Sequence, residues 1–130
     1  MIHEGQVVLF RFPQTDQIAA RLRPALVIRR VPGLHRDWLI CMVSSQLSQA
    51  IPEFDEVVGS DDSDFGASGL KTSSVIRIGR MAVVDERVLL GAIGEVSADR
   101  LCRIKQRLSQ WMGGPEGVDS PGKPSVCGTD

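Results

Sequence analysis

The chain of 130 residues, 42% apolar and 24% charged, has room for one domain around a single core. No apolar run approaches the roughly 20 residues that cross a bilayer, and no basic segment followed by an apolar one opens the chain. Cys41, Cys102 and Cys127 are too widely spaced for a disulfide framework or a CxxC site, so a reducing cytoplasm is the expected compartment. The formal net charge of −1 is unevenly spread: residues 1–52 set six arginines against Glu4, Asp16 and Asp37, residues 53–64 hold six acids and no base, and residues 65–112 hold eight bases against four acids. A ligand responds to the local field and not to the sum, so this total leaves room for a basic surface that meets nucleic acid.

In chain order, Val7 to Phe12 reads as a strand closed by the turn Pro13-Gln14-Thr15-Asp16, with a polar connector over 17–22. Pro24 cannot donate a ladder hydrogen bond and belongs at the beginning of the next strand, Ala25 to Val31, which Pro32-Gly33 ends. Asp37 to Val43 is almost continuously apolar, the pattern of a strand covered on both faces. A short edge strand is expected within 52–58, and Gly59 to Gly69 is a loop by composition. Ser74 to Ile78 and Met81 to Val84 read as two strands separated by Gly79-Arg80, and Leu89 to Val96 as a further strand, with a helical turn at 85–90 as the alternative.

The one long helix begins after Ser97, an N-cap residue followed by Asp99 where the helix dipole favours an acid. Leu101, Ile104, Leu108 and Trp111 or Met112 recur at helical spacing, and Gly113-Gly114-Pro115 stops the helix. Residues 113–130 are rich in Gly, Pro, Ser and Asp and are expected to form a disordered tail beyond a domain of residues 1–112. Five to seven short strands with one C-terminal amphipathic helix predict a mainly β protein, a small bent barrel or paired sheet.

The usual catalytic patterns are missing. His3 and His35 lie far apart without a neighbouring Cys, so no metal is expected. Neither a Walker loop nor GxGxxG is present, and no cofactor is expected. Asp61-Asp62-Ser63-Asp64 lacks the Gly and distal Glu of an EF-hand and reads as a solvated loop. What remains is Arg23 ahead of one strand and Ser44, Ser45 and Gln46 at the end of another.

Several blocks now take on meaning as an ordered set: Gly5-Gln6-Val7-Val8, Arg23-Pro24-Ala25-Leu26-Val27-Ile28, Val43-Ser44-Ser45, Ser74-Val75-Ile76-Arg77, Val83-Val84-Asp85 and Ile93-Gly94-Glu95-Val96-Ser97. Together, over about residues 4–112, this set resembles the MazF/PemK family of toxins from bacterial toxin–antitoxin pairs, small sequence-specific endoribonucleases. The resemblance implies a CcdB/PemK-like barrel related to SH3 barrels, a homodimer with RNA along its groove, and neutralisation by a cognate antitoxin. It implies DNA contact only indirectly, through a toxin–antitoxin complex, and no membrane partner. The family's catalytic arginine and strand-end threonine fall on Arg23 and Ser44, with Ser45, Gln46 and Arg77 as RNA-binding neighbours. The implied chemistry is metal-independent attack of the RNA 2′-OH on the adjacent phosphorus, which leaves a 2′,3′-cyclic phosphate and a 5′-OH. Two positions depart from the pattern: Ser44 replaces threonine, and Gly79 stands where some relatives carry an aspartate, which leaves the general base unassigned. Two alternatives stay open on this fold, a CcdB-like gyrase poison acting through its C-terminal helix and a degenerate protein that only binds nucleic acid or antitoxin.

Overall fold

The structure is a computed structural model and describes residues 1–12 and 21–114. The predicted turn at 13–16, most of the 17–22 connector and nearly all of the predicted tail lie outside the described residues. The strands are β1 (Gln6–Phe12), β2 (Arg21–Val31), β3 (Asp37–Ser44), β4 (Glu56–Val58), β5 (Ser74–Asp85) and β6 (Leu89–Glu95), and the helices are α1 (Phe65–Ser68) and α2 (Ala98–Gly113). One six-stranded sheet of order β4-β5-β3-β2-β1-β6, antiparallel throughout, holds them all. The mainly β class with a C-terminal helix is as expected, and the sheet stays open at β4 and β6 without closing into a barrel.

Strand alternation divides the core in two. On one face Val7, Leu26, Ile28, Cys41, Val43, Ile76 and Ile78 pack beneath Ile104 and Leu108 of α2. On the other, Val8, Phe10, Ala25, Val27, Trp38, Ile40 and Leu89 form a second cluster. The central strand β3 contributes to both, which accounts for its unbroken apolar sequence. The two strands expected on either side of Gly79-Arg80 are one strand: β5 runs through, and its register against β3 shifts between the Cys41–Met81 and Met42–Arg77 pairs. That irregularity is a bulge, which absorbs extra residues without ending the ladder.

Ser97 caps α2 as its sequence position suggests, its hydroxyl accepting from the Arg100 N–H at 3.1 Å. The turn at 85–90 is a short 3-10 helix, Glu86–Val88, capped by Asp85, after which β6 begins. Two glycines let α1 lie directly on β6. Gly69 closes α1 with φ +77°, and a Cβ there would stand 2.1 Å from the Ile93 carbonyl oxygen. A Cβ on Gly94 would stand 2.2 Å from the Ala67 carbonyl oxygen.

Of the stretch expected to be a solvated loop, Asp61, Asp62 and Ser63 are exposed as expected, but Asp64 is not. Glu56 and Asp64 are buried, together with Arg100, which reaches in from α2. Arg100 donates to Asp64 from Nε at 2.8 Å and Nη2 at 2.9 Å, to Glu56 from Nη1 at 3.0 Å, to Asp62 from Nη2 at 2.9 Å and to the Val57 carbonyl at 2.9 Å. Arg103 and Arg107 add ion pairs to Glu56 at 3.2 and 3.0 Å. The carboxylates need these partners because an unpaired buried charge is costly. Among the described residues Cys41 is a free, buried cysteine.

Candidate nucleic-acid interface

Arg23 lies in β2 opposite Phe10 of β1, with its side chain exposed. β2 and β3 pair with Ala25 opposite Met42. By strand alternation Arg23 lies on the same face as Ala25, and Ser44 on the same face as Met42, both toward the same end of the strand pair. Arg77 of β5 pairs with Met42 from the other side and so shares that face, which carries the second apolar cluster and lies away from α2. Three strands thus deliver Arg23, Ser44 and Arg77 to one end of one surface.

The Gln49 side chain ties two of these together. Its Oε1 accepts from Arg77 Nη1 at 2.9 Å and from Ser44 Oγ at 3.4 Å. Ser44 Oγ in turn accepts the Gln46 backbone N–H at 3.0 Å, which orients the hydroxyl. Ser45 and Gln46 are exposed just past the strand end, and Gln46 contributes to this arrangement through its main chain. A one-turn 3-10 helix, Leu47–Gln49, folds the segment back and presents Gln49 to the two donors.

Behind Arg77 sits Asp55, whose buried carboxylate accepts from the backbone N–H groups of Ile51 at 2.9 Å and Ile78 at 3.0 Å and lies 3.7 Å from Arg77 Nε. The Asp55 carbonyl accepts from Arg107 of α2 at 2.8 Å. Asp55 therefore fixes the loop, the bulged strand and the guanidinium at once. Sequence reasoning missed both Gln49 and Asp55. The only local signals were the polar run 44–49 and the acidity of 53–64, because the partners that define both residues lie far along the chain.

Gly79 is exposed in the bulge of β5, where an added Cβ would meet Phe54 at 3.4 Å. Trp111 is half-exposed near the end of α2 and packs its ring edge-on to Phe54, with centroids 5.6 Å apart, so it takes part in holding the helix end to the loop ahead of β4. Arg100, Arg103 and Arg107 are paired with acids of the 53–64 segment, while Arg23, Arg29, Arg30 and Arg80 of the strands are exposed. An exposed arginine on the same sheet face as an oriented hydroxyl and a second arginine is a donor set suited to phosphate oxygens.

The fold has solved counterparts. MazF in a MazE–MazF crystal form from Deinococcus radiodurans aligns with TM-score 0.61 and 20% identity, over 88% of this chain and 98% of that one. The Mycobacterium tuberculosis toxin MazF-mt6 aligns with TM-score 0.60 and 14% identity, over 85% and 99%. An endoribonuclease solved in complex with its cognate antitoxin from a mycobacterial species aligns with TM-score 0.60 and 17% identity, over 89% and 99%. No curated protein is significantly similar in sequence. The family of PemK-like, MazF-like toxins of type II toxin–antitoxin systems matches residues 3–112, and the chain belongs to that family.

Proposed function

We propose that residues 1–112 form a metal-independent endoribonuclease that cleaves single-stranded RNA at preferred sequences and is silenced by a cognate antitoxin. The observation that supports this reading is that Gln49 joins Arg77 to Ser44, on the sheet face to which alternation also assigns Arg23. The family supports the reaction class. The antitoxin complexes of its structural relatives support a cognate antitoxin as the inhibitor, and the acting form proposed is a homodimer with RNA along its groove.

RNA carries its own nucleophile. The 2′-hydroxyl gives up its proton to water as its oxygen bonds to the adjacent phosphorus and the bond from phosphorus to the 5′-oxygen breaks, giving a 2′,3′-cyclic phosphate, and the departing oxygen takes up a proton from water to become a 5′-OH. The protein must hold these atoms in line and stabilise the charge that builds on the phosphoryl oxygens. Arg23 suits the second task, since a guanidinium donates through a planar fork and stays charged at any physiological pH. It is for the same reason no general base. Ser44 supplies a neutral donor on the same face, and Ser45 and Gln46 border the path of the RNA.

Incubation of the purified protein with a mixed RNA in EDTA, followed by mapping of the cut ends, tests the reading. Discrete cuts bearing 2′,3′-cyclic phosphate and 5′-OH ends are expected. Intact RNA together with tight RNA binding would make the protein a binder without catalysis.

A further inference from the structure

The hydrogen bonding of Gln49 adds a feature that depends on the RNA-cleaving reading for its substrate and on geometry for everything else. Its Oε1 is a single acceptor oxygen held between a guanidinium N–H at 2.9 Å and a hydroxyl at 3.4 Å. An arginine and an alcohol converging on one oxygen is the donor arrangement that receives a phosphoryl oxygen. We propose that Gln49 Oε1 stands in for a non-bridging oxygen of the RNA backbone, and that Gln49 is a latch which a phosphodiester displaces from Ser44 and Arg77 on binding.

Three observations support displacement. A carboxamide oxygen is a neutral acceptor, and a phosphate oxygen forms the stronger, charge-assisted bond to the same guanidinium. Gln49 is exposed at the end of a single 3-10 turn, held in the main chain by its N–H to the Gln46 carbonyl at 3.0 Å, so the side chain can leave by changing rotamer alone. Arg77 does not depend on Gln49 for its position, because Asp55 lies 3.7 Å from its Nε and is itself anchored by the Ile51 and Ile78 N–H groups. Opening the latch therefore uncovers a donor pair that is already in place.

The test compares wild type, Gln49→Ala and Gln49→Glu with two probes. One is a non-cleavable 2′-deoxy oligonucleotide followed by fluorescence anisotropy, and the other is inorganic phosphate followed by the NMR signal of the Arg77 side-chain N–H. Removing a competing neutral hydrogen bond should tighten both by about three- to tenfold in Gln49→Ala, whereas Gln49→Glu, which places a carboxylate on Arg77, should weaken both. Unchanged or weaker phosphate binding by Gln49→Ala would overturn the latch, even with RNA cleavage intact in the wild type. Tighter phosphate binding by Gln49→Ala in a protein that cuts no RNA would sustain the latch and overturn the endoribonuclease reading instead.

Discussion

Arg100 and Asp64, 36 residues apart in sequence, meet as a two-point ion pair with both side chains buried, Nε to Oδ2 at 2.8 Å and Nη2 to Oδ1 at 2.9 Å. Asp64 also accepts the Ser97 N–H at 3.0 Å, so one carboxylate receives both the cap of α2 and the helix's inward arginine. Through Glu56 and Arg107 the same network reaches the segment that holds Asp55 behind Arg77. The helix and the candidate site are thereby mechanically joined.

Replacing Arg100 with leucine strands Asp64 as an uncompensated buried charge and leaves buried Glu56 to Arg103 and Arg107 alone. A loss of about 3–5 kcal/mol is expected in urea denaturation. Arg100→Lys should recover only part of it, because an ammonium cannot reproduce a fork that now serves three carboxylates and a carbonyl.

The same pair sets an acid limit. The Arg100 guanidinium, with help from the Ser97 N–H, holds the Asp64 carboxyl down at about 2 from its ordinary 3.8. A carboxyl lowered on folding contributes stability that is complete above its unfolded value and is lost as pH falls through its folded one. For Asp64 that window runs from about 4 down to about 2. Denaturant midpoints measured across this range should fall steeply in the wild type and more shallowly in Asp64→Asn, which starts lower.

Gly94→Ala should be more damaging than most exposed alanine substitutions. The new methyl group would lie 2.2 Å from the Ala67 carbonyl oxygen and 2.4 Å from the Ser68 carbonyl carbon, both main-chain atoms that no side-chain rotation can move. A destabilisation of about 1–3 kcal/mol or more is expected by chemical denaturation, with α1 lifted from β6.

Cys41 is fully buried, and burial, reinforced by the nearby charge of Asp55, pushes its thiol up to about 12. With no appreciable thiolate at neutral pH it should resist alkylation in the native protein and react on unfolding. Peptide mapping after iodoacetamide treatment distinguishes the two states.

What could be read from the sequence was local. Ser97 as a cap, the doubly covered strand at Trp38 to Val43 and the apolar stripe of α2 each follow from neighbouring residues and a regular period. Gly79-Arg80 resembled a break because a bulge and a turn share the same glycine signal, and only pairing with β3 across the shift distinguishes them. The burial of Glu56 and Asp64 was hidden in the sequence because their counter-charges arrive from Arg100, Arg103 and Arg107, more than 30 positions later. Arg23 and Ser44 could be singled out by motif, while Gln49 and Asp55 acquire meaning only once β5 brings Arg77 beside them.

Single-turnover RNA cleavage by wild type and Arg23→Ala, with folding of both checked by denaturation, bears most directly on the site. Arg23 is exposed on β2, so its loss should leave the denaturation midpoint nearly unchanged while lowering the cleavage rate by about 10²–10³. Cleavage by folded Arg23→Ala at the wild-type rate would contradict the proposed role of this strand pair in phosphodiester chemistry.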